Sequence, residues 1–197
     1  YDAGNTFNVQ KALQHIGLDA VLTADRDTIL AADGVILPGV GAYASAVSVL
    51  RERGLIEVIQ EVVERNIPLL GICLGMQLLF DESEEYGPTA GLGIIPGNVK
   101  AIPNNLGLRV PHMGWNQNKL CRKDSVFSDA ADKYTYFVHS YYVDTNSQYV
   151  TTTADYGIKV PGIVEKGNVY GMQFHPEKSG AVGLNLLRTF GNIILKK

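Results

Sequence analysis

The chain of 197 residues is poor in cysteine, tryptophan and charge. Its two cysteines, Cys73 and Cys121, cannot build a disulfide scaffold, so both read as reduced thiols and the expected compartment is the cytoplasm. Lysine and arginine number 17 against 20 aspartate and glutamate, and the basic residues are scattered, as at Lys119, Arg122, Lys123 and Lys166. Without a basic face, nucleic acid is not an expected partner. No apolar run approaches the ~18 residues of a bilayer span, so no membrane is expected either. Repeats, low-complexity tracts and linkers are also missing. What is present is a 46% hydrophobic chain, long enough for one well-buried core.

The pattern along the chain predicts an α/β fold: a mostly parallel central sheet with helices on both faces, plus a small antiparallel β extension. Val9, Ala12, Leu13 and Ile16 recur at helical spacing and stop at Gly17. Residues 18–23 and 34–37 read as strands. Two helical stretches follow, one with Ala46, Val49 and Leu50 inward, the other with Ile56, Ile59, Val62 and Val63 inward. Residues 67–70 read as a buried strand entering a helix. Residues 99–102, 134–143, 149–153 and 162–165 are β-rich and form the expected extension. A strand at 169–174 and an amphipathic helix carrying Val182, Leu186, Phe190 and Ile193 close the chain. Tyr1-Asp2-Ala3-Gly4-Asn5 reads like the loop after a first strand, so residues 1–197 are expected to form a single domain lacking that strand.

Two motifs carry chemistry. The first is Gly71-Ile72-Cys73-Leu74-Gly75-Met76-Gln77, a cysteine at a strand-to-helix corner with glycines two positions to either side. Such a corner crowds the backbone, admits only small neighbours, and points its thiol outward at a helix N-terminus, where a thiolate is favoured. The second is Gly171-Met172-Gln173-Phe174-His175-Pro176-Glu177, in which His175 ends a strand that Pro176 prevents from continuing. Ligands of open parallel sheets bind beyond the carboxyl ends of the strands, which brings Cys73 and His175 together there. Glu177, two residues on, can hold the imidazole tautomer. Oxyanion donors are expected from the Leu74 N–H and from the loop Gly39, Val40 and Gly41 after Pro38. His112 and His139 lack a third ligand at suitable spacing, so neither a metal nor a cofactor is expected.

Together these segments resemble the class I (triad-type) glutamine amidotransferase family across essentially the whole chain. The resemblance implies that L-glutamine is the substrate, with Cys73 as nucleophile, His175 as acid and base, and Glu177 as its orienting partner. It also implies substrate contacts from Gln77, from Glu85 in the acidic stretch Asp81-Glu82-Ser83-Glu84-Glu85, and from the backbone around His139, Ser140 and Tyr141. The runs Pro111-His112-Met113-Gly114-Trp115-Asn116 and Tyr136-Phe137-Val138-His139-Ser140-Tyr141 resemble members that pass ammonia to a (β/α)₈-barrel cyclase subunit in a heterodimer. By that likeness Asn5, Met113, Trp115 and Tyr136 face the partner. Separately, the glycines of Gly39–Gly41 suit a peptide turn that completes the oxyanion hole, so activity is expected to be conditional on the partner and the cyclase substrate. The alternatives are another amidotransferase, a non-catalytic partner-binding module, and a hydrolase of γ-glutamyl peptides.

Overall fold

The computed structural model describes residues 5–195; Tyr1, Asp2, Ala3 and Gly4, the first four residues of the expected opening loop, lie outside the described residues. The first half of the chain alternates helix and strand as its periodicity requires. α1 (Thr6–His15) buries Val9, Ala12 and Leu13, and the short α2 (Arg26–Leu30) is capped by the Asp25 side chain. β1 (Val35–Gly39), α3 (Tyr43–Glu52), α4 (Leu55–Glu64), β2 (Leu69–Cys73) and α5 (Leu74–Leu78) follow. The β-rich half comprises β3 (Glu82–Ser83), β4 (Thr89–Ala90), β5 (Gly97–Ala101), β6 (His112–Gln117), β7 (Lys119–Leu120), β8 (Tyr134–His139), β9 (Tyr141–Thr145), β10 (Val150–Asp155), β11 (Lys159–Lys166) and β12 (Val169–Met172). α6 (Gly180–Leu195) completes the described chain.

The main sheet has six strands in the order β1-β2-β12-β11-β10-β7. β2 is central, parallel to β1 on one side and β12 on the other, while β11, β10 and β7 continue antiparallel. All five residues of β2 are buried, and its side chains divide between two cores. Leu69 joins the cluster beneath α3 and α4; Leu70 and Ile72 join the one beneath α1 and α6. Each such side chain withdrawn from water contributes roughly 1.5–3 kcal/mol. β4-β3-β5-β9 form a second sheet, and β6 pairs with β8.

The structure refines the sequence expectations at several places. Residues 18–23 are not a strand: no described strand lies beside them, and Val21 and Leu22 stand 78% and 58% exposed. A β pattern without a neighbouring ladder leaves its backbone groups to water. The β-rich segments do not all pack beside the main sheet; β10 and β11 extend it, making it mixed, with its parallel part confined to β1, β2 and β12. The run 134–143 breaks at Ser140, sending β8 to β6 and β9 to β5. In α3 the core face is Tyr43, Ala46, Val47 and Leu50, so Val47 replaces Val49; in α4 it is Leu55, Val58, Ile59 and Val62, with Ile56 and Val63 flanking.

Candidate active site

β1, β2 and β12 end together, and their carboxyl ends carry the chemistry. Gly39 is in register with Cys73, so the oxyanion-loop candidate begins directly beside the candidate nucleophile. Cys73 has φ 55° and ψ −112°, a conformation that costs a non-glycine residue about 1–3 kcal/mol and persists only where packing imposes it. That packing is visible at its flanking glycines. A Cβ on Gly71 would lie 2.6 Å from the Gly75 carbonyl oxygen, and one on Gly75 would lie 1.8 Å from that of Leu37. α5 is pressed against the strands, and side chains at these positions would push it away. It ends after five residues because the next segment folds back: the Leu92 N–H donates to the Leu78 carbonyl, and those of Ile94 and Ile95 to that of Leu79.

The thiol does not stand open to solvent as expected. Cys73 is 7% exposed, its Sγ lying 3.9 Å from the Val138 carbonyl oxygen and accepting from Gln173 Nε2 at 3.9 Å. A five-residue helix supplies little macrodipole, and the positive group facing the sulfur is instead His175. His175 is buried, its Nδ1 donating to Glu177 Oε1 at 2.8 Å and its ring also hydrogen-bonded to Cys73. Burial opposes its charge, but the hydrogen bonds and charges of Cys73 and Glu177 outweigh that and raise it to about 9. The imidazole therefore remains protonated at neutral pH. The Glu177 side chain is 1% exposed; Asn5 Nδ2 also donates to its Oε1, at 3.2 Å.

The other expected residues divide. Leu74 opens α5, so its N–H is among the first-turn donors without an intrahelical partner. Gly41, at φ +92°, ends the β1 loop in open space, and Val40 is 40% exposed. Gln77 is buried, with Nε2 donating to the Tyr141 carbonyl at 2.9 Å and to Gln173 Oε1 at 3.0 Å. His139 and its neighbours do reach this floor: His139 Nδ1 donates to the Tyr141 carbonyl at 2.8 Å, while the Ser140 carbonyl accepts from the Ile102 N–H. Glu85 Oε2 accepts from the Tyr43 N–H at 2.6 Å, at the start of α3. Asn5 lies at the triad, whereas Met113 and Trp115 stand 60% and 55% exposed on β6, with Tyr136 edge-on to Trp115.

His112 and His139 face each other, Nδ1 to Nε2, at 3.0 Å, and burial lowers them to about 4 and about 3. Both are neutral near pH 7, and among the described residues no group of three or more His, Cys, Asp or Glu side chains is placed to hold a metal. Sequence reasoning did not single out Gln173 or Ser179. Gln173 contacts Sγ, and Ser179 Oγ donates to the His175 carbonyl at 2.6 Å while accepting from the Tyr136 N–H. Gln173 stands within the quoted motif, but only the fold, which brings its Oε1 to Gln77 Nε2 just past the end of β12, distinguishes it from its neighbours.

A cysteine on a strained strand-to-helix corner, faced by a protonated His–Glu pair at the ends of parallel strands, is the arrangement that a triad-type thiol site requires. The chain belongs to the class I glutamine amidotransferase family, whose model, Glutamine amidotransferase class-I, matches residues 1–192. It is 52% identical to the imidazole glycerol phosphate synthase subunit HisH of Lactiplantibacillus plantarum over 98% of this chain and 93% of that protein. It is 56% identical to the subunit of the same name from Lacticaseibacillus casei over 96% and 91%. Among solved structures, a glutamine amidotransferase superposes with a TM-score of 0.76 at 22% identity, covering 98% of this chain and 95% of that one.

Proposed function

We propose that the chain is the glutaminase subunit of an imidazole glycerol phosphate synthase. It hydrolyses L-glutamine to glutamate and ammonia and passes the ammonia to a (β/α)₈-barrel cyclase subunit, in histidine biosynthesis in the cytoplasm. The observation that carries the chemistry is the His175–Glu177 contact of 2.8 Å beside a buried Cys73. The 52–56% identity to HisH subunits supports the acceptor.

In this reading Cys73 Sγ attacks the side-chain amide carbon of glutamine, and the oxygen that gains charge is met by the Leu74 N–H and by the Gly39–Gly41 loop. His175 delivers its proton to the leaving nitrogen, so ammonia departs and a thioester remains. His175, now neutral, takes a proton from water, whose oxygen attacks the thioester; glutamate leaves, and the sulfur returns unprotonated facing a protonated His175, as the cycle began. Glu177 holds the ring through Nδ1 in both halves. Ammonia released into water would be protonated and lost as a nucleophile, which calls for a partner seated over the site. Exposed Met113 and Trp115, beside Tyr136, are the anchors suited to it. A Gly39–Gly41 peptide that completes the oxyanion hole only in the complex would make hydrolysis conditional on the acceptor.

Alkylation by a glutamine-shaped chloromethyl ketone tests the site. The expected result is modification of Cys73 that glutamine slows, with the exposed Cys121 reacting no faster than with a reagent lacking the glutamine shape. Labelling of Cys73 that glutamine leaves unchanged contradicts the assignment.

A further inference from the structure

We infer that Glu85 is a positioning residue for the oxyanion loop, acting as a helix cap supplied from a distant segment. The inference rests on the glutaminase reading for its consequence, though not for its geometry. α3 begins at Tyr43, and the residue at its N-cap position, Ala42, has no side chain able to accept from the first-turn N–H groups. Glu85, 42 residues away, fills that role through Oε2 on the Tyr43 N–H at 2.6 Å. A carboxylate there also meets the positive end of a ten-residue helix.

Glu85 is itself held. Its N–H donates to Ser83 Oγ at 3.2 Å, Ser83 is buried, and neighbouring Glu84 Oε1 accepts from the Ala101 N–H at 2.6 Å. Tyr43 is fully buried, so the far end of the cap is fixed as well. Between these anchors lies a short unsupported stretch. Its first residue, Gly39, is locked in register with Cys73; Val40 projects into solvent; and Gly41 has nothing within 4 Å of the position a Cβ would take. Such a peptide can rotate, and what limits it is the fixity of its two ends. Strand pairing fixes the first end, and Glu85 fixes the second. A carboxylate that could be read as a substrate contact alone thus also determines where the second oxyanion donor points.

Two variants separate these roles. Glu85→Gln keeps an oxygen able to accept from Tyr43 and loses the charge; Glu85→Ala loses both. Amide exchange at Tyr43 reads the anchor without any turnover, so failure of the anchor and failure of the glutaminase reading are seen separately. The expected result is exchange at Tyr43 about fivefold faster in Glu85→Ala and near wild type in Glu85→Gln, as for loss and retention of a helix cap. In the complex with cyclase, kcat for glutamine falls about 10–100-fold in Glu85→Ala, less than loss of a whole oxyanion donor. Glu85→Gln holds kcat within about threefold and shows its defect in KM. Unchanged Tyr43 exchange in Glu85→Ala overturns the inference, as does an equal loss of kcat in both variants with KM unmoved.

Discussion

At the residue scale the chemistry turns on His175. With its proton held up to about pH 9, the activity of the triad is expected to be flat through neutrality and to fall as pH rises through 9. Glu177→Gln leaves an oxygen for Nδ1–H but removes the negative charge. His175 then drops toward its ordinary value of 6.5, and the falling limb of the kcat/KM profile moves to lower pH with it. An accompanying loss of about 10²-fold in kcat is in the range for a misplaced acid–base group. A profile whose alkaline limb stays in place would show that Glu177 does not tune the imidazole. That Cys73, His175 and Glu177 would meet was legible in the sequence because of their residue types and the Gly, Pro spacing around them. The partners that fix them were not. Asn5 meets Glu177 across 172 residues and Gln173 meets Cys73 across 100, and nothing in either local pattern marks those pairings.

At the scale of elements, the glycines around the corner carry the prediction. Gly75→Ala places a methyl 1.8 Å from the Leu37 carbonyl oxygen, a backbone atom that can move only with β1. Separation of α5 from β1 should cost more than about 3 kcal/mol, beyond ordinary overpacking, and should disrupt the Gly39–Cys73 register. Urea unfolding gives the first number and glutamate release the second; a stable, active Gly75→Ala protein would refute the packing account. The Gly-x-Cys-x-Gly corner was readable for the same reason it is fragile, since crowding leaves a compositional trace. Residues 18–23 show the opposite case. Their apolar Ala20, Val21 and Leu22 fit a strand, yet strand formation requires a ladder that no described strand provides. The break of the 134–143 run at Ser140 was invisible because both halves are β-prone and only tertiary pairing assigns them to different sheets.

At the scale of the whole molecule, three buried histidines set opposing slopes of stability against pH. His175, raised from 6.5 to about 9, takes up a proton on folding; its contribution is complete below pH 6.5 and disappears as pH rises through 9. His112 and His139, depressed to about 4 and about 3, are held neutral; their contribution is complete above pH 6.5 and is lost as pH falls toward those values. Stability should therefore be greatest near pH 6.5–7, a maximum that denaturant midpoints measured across pH 4–10 would locate. A midpoint that climbs steadily to pH 9 would contradict the assignment of His175.

We propose that this site hydrolyses glutamine in the service of a cyclase, and one measurement tests that directly. Glutamate release should be measured for the chain alone and after addition of the (β/α)₈-barrel cyclase subunit and its nucleotide substrate, with Cys73→Ala as control. Little release alone, strong release in the complex, and none from the Cys73→Ala complex are expected. No glutamate from a folded, assembled complex, or equal release from the Cys73→Ala protein, would contradict it.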